Sequence, residues 1–454
     1  MLSAVAALGG FLFGFDTAVI NGTVTAVRDG FELSAGLTGF VVSSALLGCV
    51  VGAFAAGKLA DRIGRIRVML IASALFLISA IGCTLAVGAG DLIAWRMVGG
   101  LGVGAASVIA PAYIAEVSPA GIRGRLGSLQ QLAIVTGIFV ALLSNAWLAA
   151  LSGGAAEELW FGLEAWRLMF LAEVVPALAY GALALTIPES PRFLVKKGSP
   201  KKAREVLRMV LKTGIDERIE EISKSLGSET RTRLAHLRGP ALGLLPIVWV
   251  GILLSTFQQF VGINVIFYYS STLWQSVGFS EADALAQTVI TGVTNIVVTI
   301  IAIALVDKIG RRRLLMIGST GMTVTLGVLA WIFATAPVTE AADGTVTPVL
   351  SDAGGVVALL AANGFVVFFG MSWGPAVWVL LGEMFNNRIR ATALGIAASV
   401  QWLANFTISS TFPALADMSL GVAYGFYTTC AAISLFFVFK FVPETKGKQL
   451  EEMQ

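Results

Sequence analysis

Charged residues are scarce in this chain: only 13% of its 454 residues are Asp, Glu, Lys or Arg, and 56% are hydrophobic. Soluble globular domains carry about 25% charged residues, so this composition excludes an ordinary soluble protein. The formal net charge of +3 is small, and it gives no basis for a nucleic-acid partner.

Cysteine and histidine are almost absent. Cys49, Cys83 and Cys430 lie in separate apolar runs without paired spacing, which indicates neither a disulfide framework nor a metal site. The single histidine, His236, lies in a polar segment and is typical of a solvated surface residue. Since no nucleophile–base or metal constellation is present, we predict neither an enzyme nor a bound cofactor.

Long apolar runs account for this composition. A membrane-spanning helix needs about 20 apolar residues, and twelve such runs lie at roughly 2–25, 37–59, 67–88, 92–115, 126–150, 167–187, 242–274, 284–305, 314–336, 355–381, 391–413 and 422–442. Backbone polar groups in lipid must be satisfied within each segment, so we predict an all-α membrane protein. Its predicted parts are a six-helix half at 1–187, a cytoplasmic linker at 188–240, a second six-helix half at 241–442 and a tail at 443–454.

Lysine and arginine collect in alternate loops. One set of loops contains Arg62, Arg123 and Arg311, whereas the other is acidic and contains Glu158 and Glu281. Because basic loops stay on the cytoplasmic side, we predict a multi-pass protein of the plasma (inner) membrane with both termini in the cytoplasm. The charged linker pattern predicts two or three short amphipathic helices.

Three charged motifs occur twice in the same order. EVSPAGIR recurs as EMFNNRIR, DRIGR as DKIGR, and PES as PET. Such a repeat in a membrane chain is typical of secondary transporters that rock one half against the other. We predict that the charged residues of these motifs form a cytoplasmic gating network: Asp61, Arg65, Glu116, Arg123, Glu189, Asp307, Arg311, Glu383, Arg390 and Glu444.

Three ionisable residues fall inside predicted spans, where charge is costly and usually functional. Asp16 lies in the glycine-rich run GGFLFGFD of the first span, Arg96 in the fourth and Glu173 in the sixth. At 1.5 Å per residue, the depths of these positions allow Arg96 to reach Asp16. The carboxylate could exchange a proton as its arginine contact is made and loosened, or the two could form a permanent ion pair; the residues alone leave both open.

Neutral polar residues form a second candidate site in the spans. Their amides offer donors and acceptors suited to the hydroxyls of a neutral polyol, and the residues are Gln131, Gln258, Gln259, Asn264, Asn295, Trp378, Gln401 and Asn405. Gln259 and Asn264 diverge by about 140° on a straight helix, so both can face one cavity only if the helix breaks at Gly262. A similar break is predicted where Pro375 follows Ser372 and Gly374.

Over nearly its whole length the chain resembles the sugar porter family of the major facilitator superfamily, in the runs GGFLFGFDTAVI, DRIGRIR, WRMVGGLGVG, PAYIAEVSPAGIRGRLGS, PESPRFL, QQFVGIN, VDKIGRRRLL, SWGPAVWVLLGEMFNNRIR, QWLANF and PETKG. It is especially similar to bacterial glucose– and xylose–proton symporters. SLQQLAIV and LLGEMFNN resemble the glucose/fructose permeases of photosynthetic bacteria.

The resemblance implies roles for individual residues. Asp16 matches the proton-accepting aspartate, Arg96 its partner and Glu173 a further acid. All the polar residues above except Asn405 match sugar-contacting positions, and Tyr268 and Tyr269 match neighbouring tyrosines. Two positions depart from the family pattern: Phe15 replaces a tyrosine before the aspartate, and Ile66 interrupts a basic pair.

The predicted function is proton-coupled import of a monosaccharide across the bilayer by a monomer. Glucose is the expected sugar, with fructose, galactose and xylose as alternatives. Three other interpretations stay open: a passive sugar facilitator in which Asp16 only pairs with Arg96, a xylose-specific proton symporter, and a sugar sensor that does not transport.

Overall fold

The computed structural model describes residues 2–119, 123–211, 213–227, 237–340, 346–385 and 389–444. The described part is almost entirely helical, with nineteen α-helices and two small hairpins. Eleven of its helical segments are long and apolar enough to cross a membrane, and Arg390–Met418 supplies a further long helix at the predicted eleventh span. The prediction of twelve helices with the major facilitator fold is confirmed.

Six spans precede the linker. They are formed by α1 (Leu2–Val19) with a 3-10 turn (Ile20–Gly22), then α3 (Ala35–Ile63), α4 (Arg65–Leu85), α5 (Ala89–Val117), α6 (Arg123–Ser152), and α7 (Ala165–Leu171) with α8 (Val174–Ala184). The short helix α2 (Val24–Gly30) follows the first span.

Six more follow the linker. They are formed by α12 (Pro246–Phe260) with α13 (Ile263–Ser276), then α14 (Glu281–Ile309), α15 (Arg311–Thr335), α16 (Asp352–Met371) with α17 (Trp373–Met384), α18 (Arg390–Met418) and α19 (Leu420–Phe441).

Both predicted helix breaks are present. α12 ends before Gly262, which has a φ of +85°, a conformation that favours glycine, and α13 begins after it. α16 ends at Met371, and α17 begins at Trp373 after a non-helical Ser372. Each break turns one long apolar run into two helices with different side-chain directions.

The charged linker forms three short helices, as predicted: α9 (Pro191–Lys196), α10 (Pro200–Arg208) and α11 (Ile215–Gly227). α9 begins at a Ser190 cap whose side chain accepts from the backbone N–H of Phe193, with Pro191 in the first turn.

Two hairpins in predicted outer loops were not expected from the sequence. β1 (Glu158–Trp160) pairs with β2 (Leu163–Glu164), and β3 (Val338–Glu340) pairs with β4 (Val346–Pro348), both antiparallel. Strands of two or three residues give no alternating pattern long enough to recognise.

The helices pack into two compact units. The first unit comprises Met1–Val19, Ser44–Ser144 and Arg167–Arg231, and the second comprises Ile20–Ser43, Asn145–Trp166 and Thr232–Gln454. In the first unit, α1 and α4 each pack on both α5 and α8. In the second unit, α12 packs on α18, and α15 packs on α16 and α19. The division at 1–187, 188–240 and 241–442 stays a prediction.

Candidate functional site

The first unit contains the predicted acid–arginine cluster, formed by Asp16, Arg96 and Glu173. Arg96 Nη1 lies 3.6 Å from Asp16 Oδ1 and donates to the backbone carbonyl of Asp16 at 3.1 Å. The side chains of Arg96 and Asp16 are 3% and 2% exposed. Glu173 is equally buried, at the start of α8, and interacts electrostatically with both. Three ionisable groups therefore share one buried region formed by α1, α5 and α8.

Glycines allow these helices to approach closely enough. A Cβ atom at Gly99 would lie 2.5 Å from Ser79 Oγ and 2.9 Å from Asp16 Oδ1. On α1, a Cβ at Gly14 would lie 2.0 Å from the backbone oxygen of Ile134. Small residues at such positions let helices pack backbone to backbone. Here Gly99 brings Asp16 against α5, and Gly14 brings α1 against α6.

Each acid of the cluster keeps one oxygen with unused hydrogen-bonding capacity. Asp16 Oδ2 and Glu173 Oε1 are buried and have no hydrogen-bond partner among the described atoms. Leaving an ionised carboxylate oxygen buried and unsatisfied is costly, and protonation lowers that cost because the neutral carboxyl group is less costly to bury. The arrangement is suited to a carboxylate that gains and loses a proton.

The second unit contains most of the predicted polar site. Because the chain turns at Gly262, Gln259 at the end of α12 and Asn264 at the start of α13 point together, and Asn264 Nδ2 donates to Gln259 Oε1 at 2.6 Å. The break was expected to bring these two amides together, and it does.

A second pair joins the two broken spans. Gln258 is buried and its amide nitrogen donates to the backbone oxygen of Trp373 at 2.9 Å, where α17 begins. Gln258 Oε1 has no partner within the described structure. This hydrogen bond ties the end of α12 to the first residue of α17.

Four other predicted residues lie in the same unit with different roles. Asn405 is buried and donates to Tyr268 Oη at 3.5 Å. Tyr269 donates to the Ser409 carbonyl at 2.7 Å and is 1% exposed, which is typical of a residue that ties α13 to α18. Asn295 is also buried on α14.

The structure does not bring every predicted residue together. Trp378 is 44% exposed on α17, whereas the fully buried indole of that helix belongs to Trp373. Gln401 lies on α18, and its side-chain oxygen has no partner in the described part of the chain. Gln131 lies on α6 in the first unit. Contact with sugar stays a prediction for every residue of this set.

The first unit also contains half of the predicted gating network. Arg65 holds Glu116 through two hydrogen bonds, of 3.1 and 2.9 Å, and lies 3.2 Å from Asp61. Glu189 accepts from the backbone N–H groups of Arg65 and Ile66, at 2.9 and 3.2 Å. A carboxylate therefore caps the N-terminus of α4, where the helix dipole favours negative charge.

The second unit repeats this geometry at the equivalent residues. Arg311 Nη2 donates to Glu383 at 2.9 Å, and Glu444 accepts from the backbone N–H groups of Arg311 and Arg312 at 3.1 and 3.2 Å. The glycines before α4 and α15 have φ values of +101° and +93°. The side chains of Arg123, Asp307 and Arg390 lie outside the described part of the structure.

The sequence analysis missed two polar residues that connect separate segments. Ser190 donates to Glu116 Oε2 and so joins α9 to the network. Asn21 is completely buried and bonds Phe267, Ser270 and Ser271 of α13. Asn21 makes four hydrogen bonds with a segment about 250 residues away. A single asparagine at the end of an apolar run does not reveal such distant partners in the sequence.

The family model for sugar (and other) transporters matches residues 2–454, almost the whole chain. The chain belongs to the sugar transporter family. It is therefore a multi-pass membrane transporter and not an enzyme.

Curated relatives match along the full length. A glucose transport protein of Synechocystis sp. is 58% identical over 455 residues, which cover 100% of this chain and 96% of that protein. The D-xylose-proton symporter of Escherichia coli is 39% identical over 489 residues, which cover 100% of this chain and 94% of that protein.

Solved structures agree with this assignment. The inward open conformation of the xylose transporter XylE from E. coli superimposes with a TM-score of 0.83 at 38% identity, over 99% of this chain and 98% of that one. The proton:xylose symporter XylE bound to 6-bromo-6-deoxy-D-glucose gives a TM-score of 0.79 at 39% identity, over 100% of this chain and 97% of that one.

Proposed function

We propose that this sugar transporter imports a hexose, glucose, together with a proton by alternating access. The observation that carries proton coupling is the buried Asp16, which contacts Arg96 and has one carboxylate oxygen without a hydrogen-bond partner in the described structure. The choice of glucose is supported by the 58% identity to a glucose transport protein, and symport by the 39% identity to a proton symporter.

Asp16 and Arg96 can alternate between two states. While the guanidinium is in contact, the ionised carboxylate is compensated; when a conformational change draws it away, an uncompensated buried charge is costly and the carboxylate takes up a proton. We propose that this proton comes from the outer side and is released to the cytoplasm when Arg96 returns. Glu173 is a further acid in the same cluster.

The membrane potential supplies the driving force. One inward charge is worth about 2.3 kcal/mol per 100 mV, and about 1.4 kcal/mol corresponds to a tenfold concentration ratio. One proton per sugar therefore supports roughly 50-fold accumulation before any pH gradient is added. For this coupling, binding of the proton and binding of the sugar must both favour the same closing step of the transporter.

We propose that the sugar is bound by the amides of the second unit. In the Gln259–Asn264 pair, one amide hydrogen and one oxygen are used between the two side chains, so donors and acceptors remain for vicinal hydroxyls. Gln258, Asn295, Gln401 and Asn405 are further proposed contacts, with Trp378 offering a ring face and Gln131 a contact from α6.

The membrane placement is also a proposal. The alternation of basic and acidic loops favours a plasma (inner) membrane location with both termini in the cytoplasm. We further propose that the transporter works as a monomer and that the arginine–glutamate networks of Arg65 and Arg311 stabilise one of its conformations.

A passive facilitator of the same fold is the second candidate, because the Asp16–Arg96 contact could also be a permanent ion pair. Uptake of labelled glucose into sealed vesicles containing the purified protein separates the two. Accumulation that needs an inward proton gradient and collapses with a protonophore supports symport. Equilibration that ignores the gradient supports the facilitator, and absence of glucose flux directs the same assay to xylose, fructose and galactose.

A further inference from the structure

The tip of the β1–β2 hairpin has an unusual backbone. The hairpin turns at Phe161 and Gly162, whose φ values are both positive, +61° and +68°. Two-residue turns of this kind favour asparagine or aspartate followed by glycine, and a bulky residue with a positive φ is an outlier. Phe161 is also 90% exposed, so no packing within the chain accounts for a phenylalanine here.

The neighbouring tryptophan shows where this tip lies. The ring of Trp160 contacts that of Trp147 on α6, with a centroid distance of 6.4 Å and a T-shaped arrangement. Trp147 lies five residues before Ser152, the end of α6, or about 7.5 Å along the axis. The tip therefore lies beside the last turns of a spanning helix.

That side of α6 faces away from the proposed transport path. Trp147 and Gln131 are 16 residues apart, so they point about 160° away from each other on a straight helix. Trp147 is 57% and Leu151 48% exposed, whereas Asn145 is fully buried. On a helix that crosses a membrane, such an exposed apolar side is the side in contact with lipid.

We propose that the β1–β2 hairpin is inserted in the lipid–water interface on the outer face of the plasma membrane. Phe161 then lies among the lipid headgroups and the adjoining ends of the acyl chains. Aromatic residues concentrate at this level of a bilayer. The rings of Trp147 and Trp160 are in contact, and Phe161 follows Trp160 at the hairpin tip. The strained backbone of Phe161 is retained because its ring is buried in lipid.

The charges of the hairpin agree with this orientation. Glu157 and Glu158 are exposed at the base, and the base is tied down by a bond from the Ala155 N–H to Glu281 at 2.8 Å. The acidic base faces water while the uncharged tip reaches the interface. Since the hairpin carries no basic residue, its contact with lipid is apolar and does not require anionic lipids.

The test places a nitroxide label at Phe161→Cys and, as the matched control, at Glu157→Cys, with the three native cysteines replaced by alanine. In phosphatidylcholine vesicles, the proposal predicts a severalfold higher ratio of oxygen to nickel-chelate accessibility at position 161 than at 157. Equal accessibility to the nickel chelate at both positions would overturn it. If the label at position 161 is protected from the nickel chelate only when the vesicles contain a high density of protein, the hairpin contacts a second copy of the protein and the proposal is overturned.

A second measurement keeps the phenylalanine. The unaltered protein is oxidised by hydroxyl radicals in two environments, lipid vesicles and a short peptide-based scaffold that exposes the outer loops. Phe161 should be severalfold less oxidised in the vesicles than in the scaffold. Equal oxidation in both environments would place the hairpin in water and would contradict the proposal. Neither measurement depends on which sugar is carried or on proton coupling.

Discussion

Gly99 allows the carboxyl group of Asp16 to lie against α5, because glycine places no side chain between that carboxyl group and the helix backbone. The Gly99→Ala methyl group would meet Ser79 Oγ and Asp16 Oδ1 at 2.5 and 2.9 Å, and overpacking of this kind costs about 1–3 kcal/mol. We expect lower thermal stability and weaker gradient-driven uptake. Gly90→Ala on the same helix is the control, because nothing lies within 4 Å of its added Cβ; equal effects of the two substitutions would contradict this account.

Gln259 and Tyr269 provide a second test at the residue scale. Loss of one sugar hydrogen bond costs about 1 kcal/mol, so Gln259→Ala should raise the KM for sugar about fivefold. Tyr269→Phe removes the donor to the Ser409 carbonyl and should lower thermal stability while leaving KM unchanged. Transport kinetics and thermal unfolding of both variants check this. A rise in KM for Tyr269→Phe alone would contradict the account, because it would assign sugar binding to Tyr269 and not to Gln259.

The sequence predicted much of this chemistry at the level of residues. Asp16 and Arg96 were recognisable because charge inside an apolar run is rare, and their contact followed from their depths in the spans. The burial of Trp373 and the exposure of Trp378 could not be distinguished by sequence, because both are tryptophans on one short helix. Asn21 gave no signal, since its partners are distant in the chain.

At the scale of elements, the starts of α4 and α15 are capped by equivalent glutamates. Glu189 and Glu444 each accept two backbone N–H groups, and removing a carboxylate from a helix N-terminus costs about 1 kcal/mol. Glu189→Gln and Glu444→Gln should therefore lower thermal stability by similar amounts, whereas exposed Glu205→Gln should not. A loss in only one of the two would contradict the structural repeat.

The segment Ile20–Gly22 is tied to α13 through Asn21. Asn21→Ala removes three side-chain bonds to α13 and should favour conformations in which α13 leaves this segment. We expect faster labelling of Thr272→Cys by a membrane-impermeant thiol reagent. Thr23→Ala is the matched control, because Thr23 is equally buried but bonds only within its own turn; an equal increase in both would show general loosening.

Helix breaks were predictable where hairpins were not. Gly262 and the Ser372–Pro375 run mark breaks because glycine and proline limit helices in known ways. The β1–β2 hairpin instead turns at a phenylalanine, which propensity places outside turns, so only the three-dimensional structure shows it.

At the scale of the whole molecule, twelve long apolar runs and a repeated set of charged motifs predicted a twelve-helix secondary transporter, and the resemblance to the sugar porter family supplied the major facilitator fold. The repeat is visible in the structure as two equivalent arginine–glutamate networks, at Arg65 and Arg311. The identity of the sugar was less predictable, because only one or two hydroxyl groups distinguish the candidate sugars.

The central claim is that Asp16 carries the coupling proton, and the most direct measurement is glucose uptake by Asp16→Asn in vesicles. The account predicts that the variant exchanges glucose across the membrane but no longer accumulates it against a gradient, and that its uptake loses pH dependence. Concentrative uptake with unchanged pH dependence would contradict the account and would leave Asp16–Arg96 as a structural ion pair.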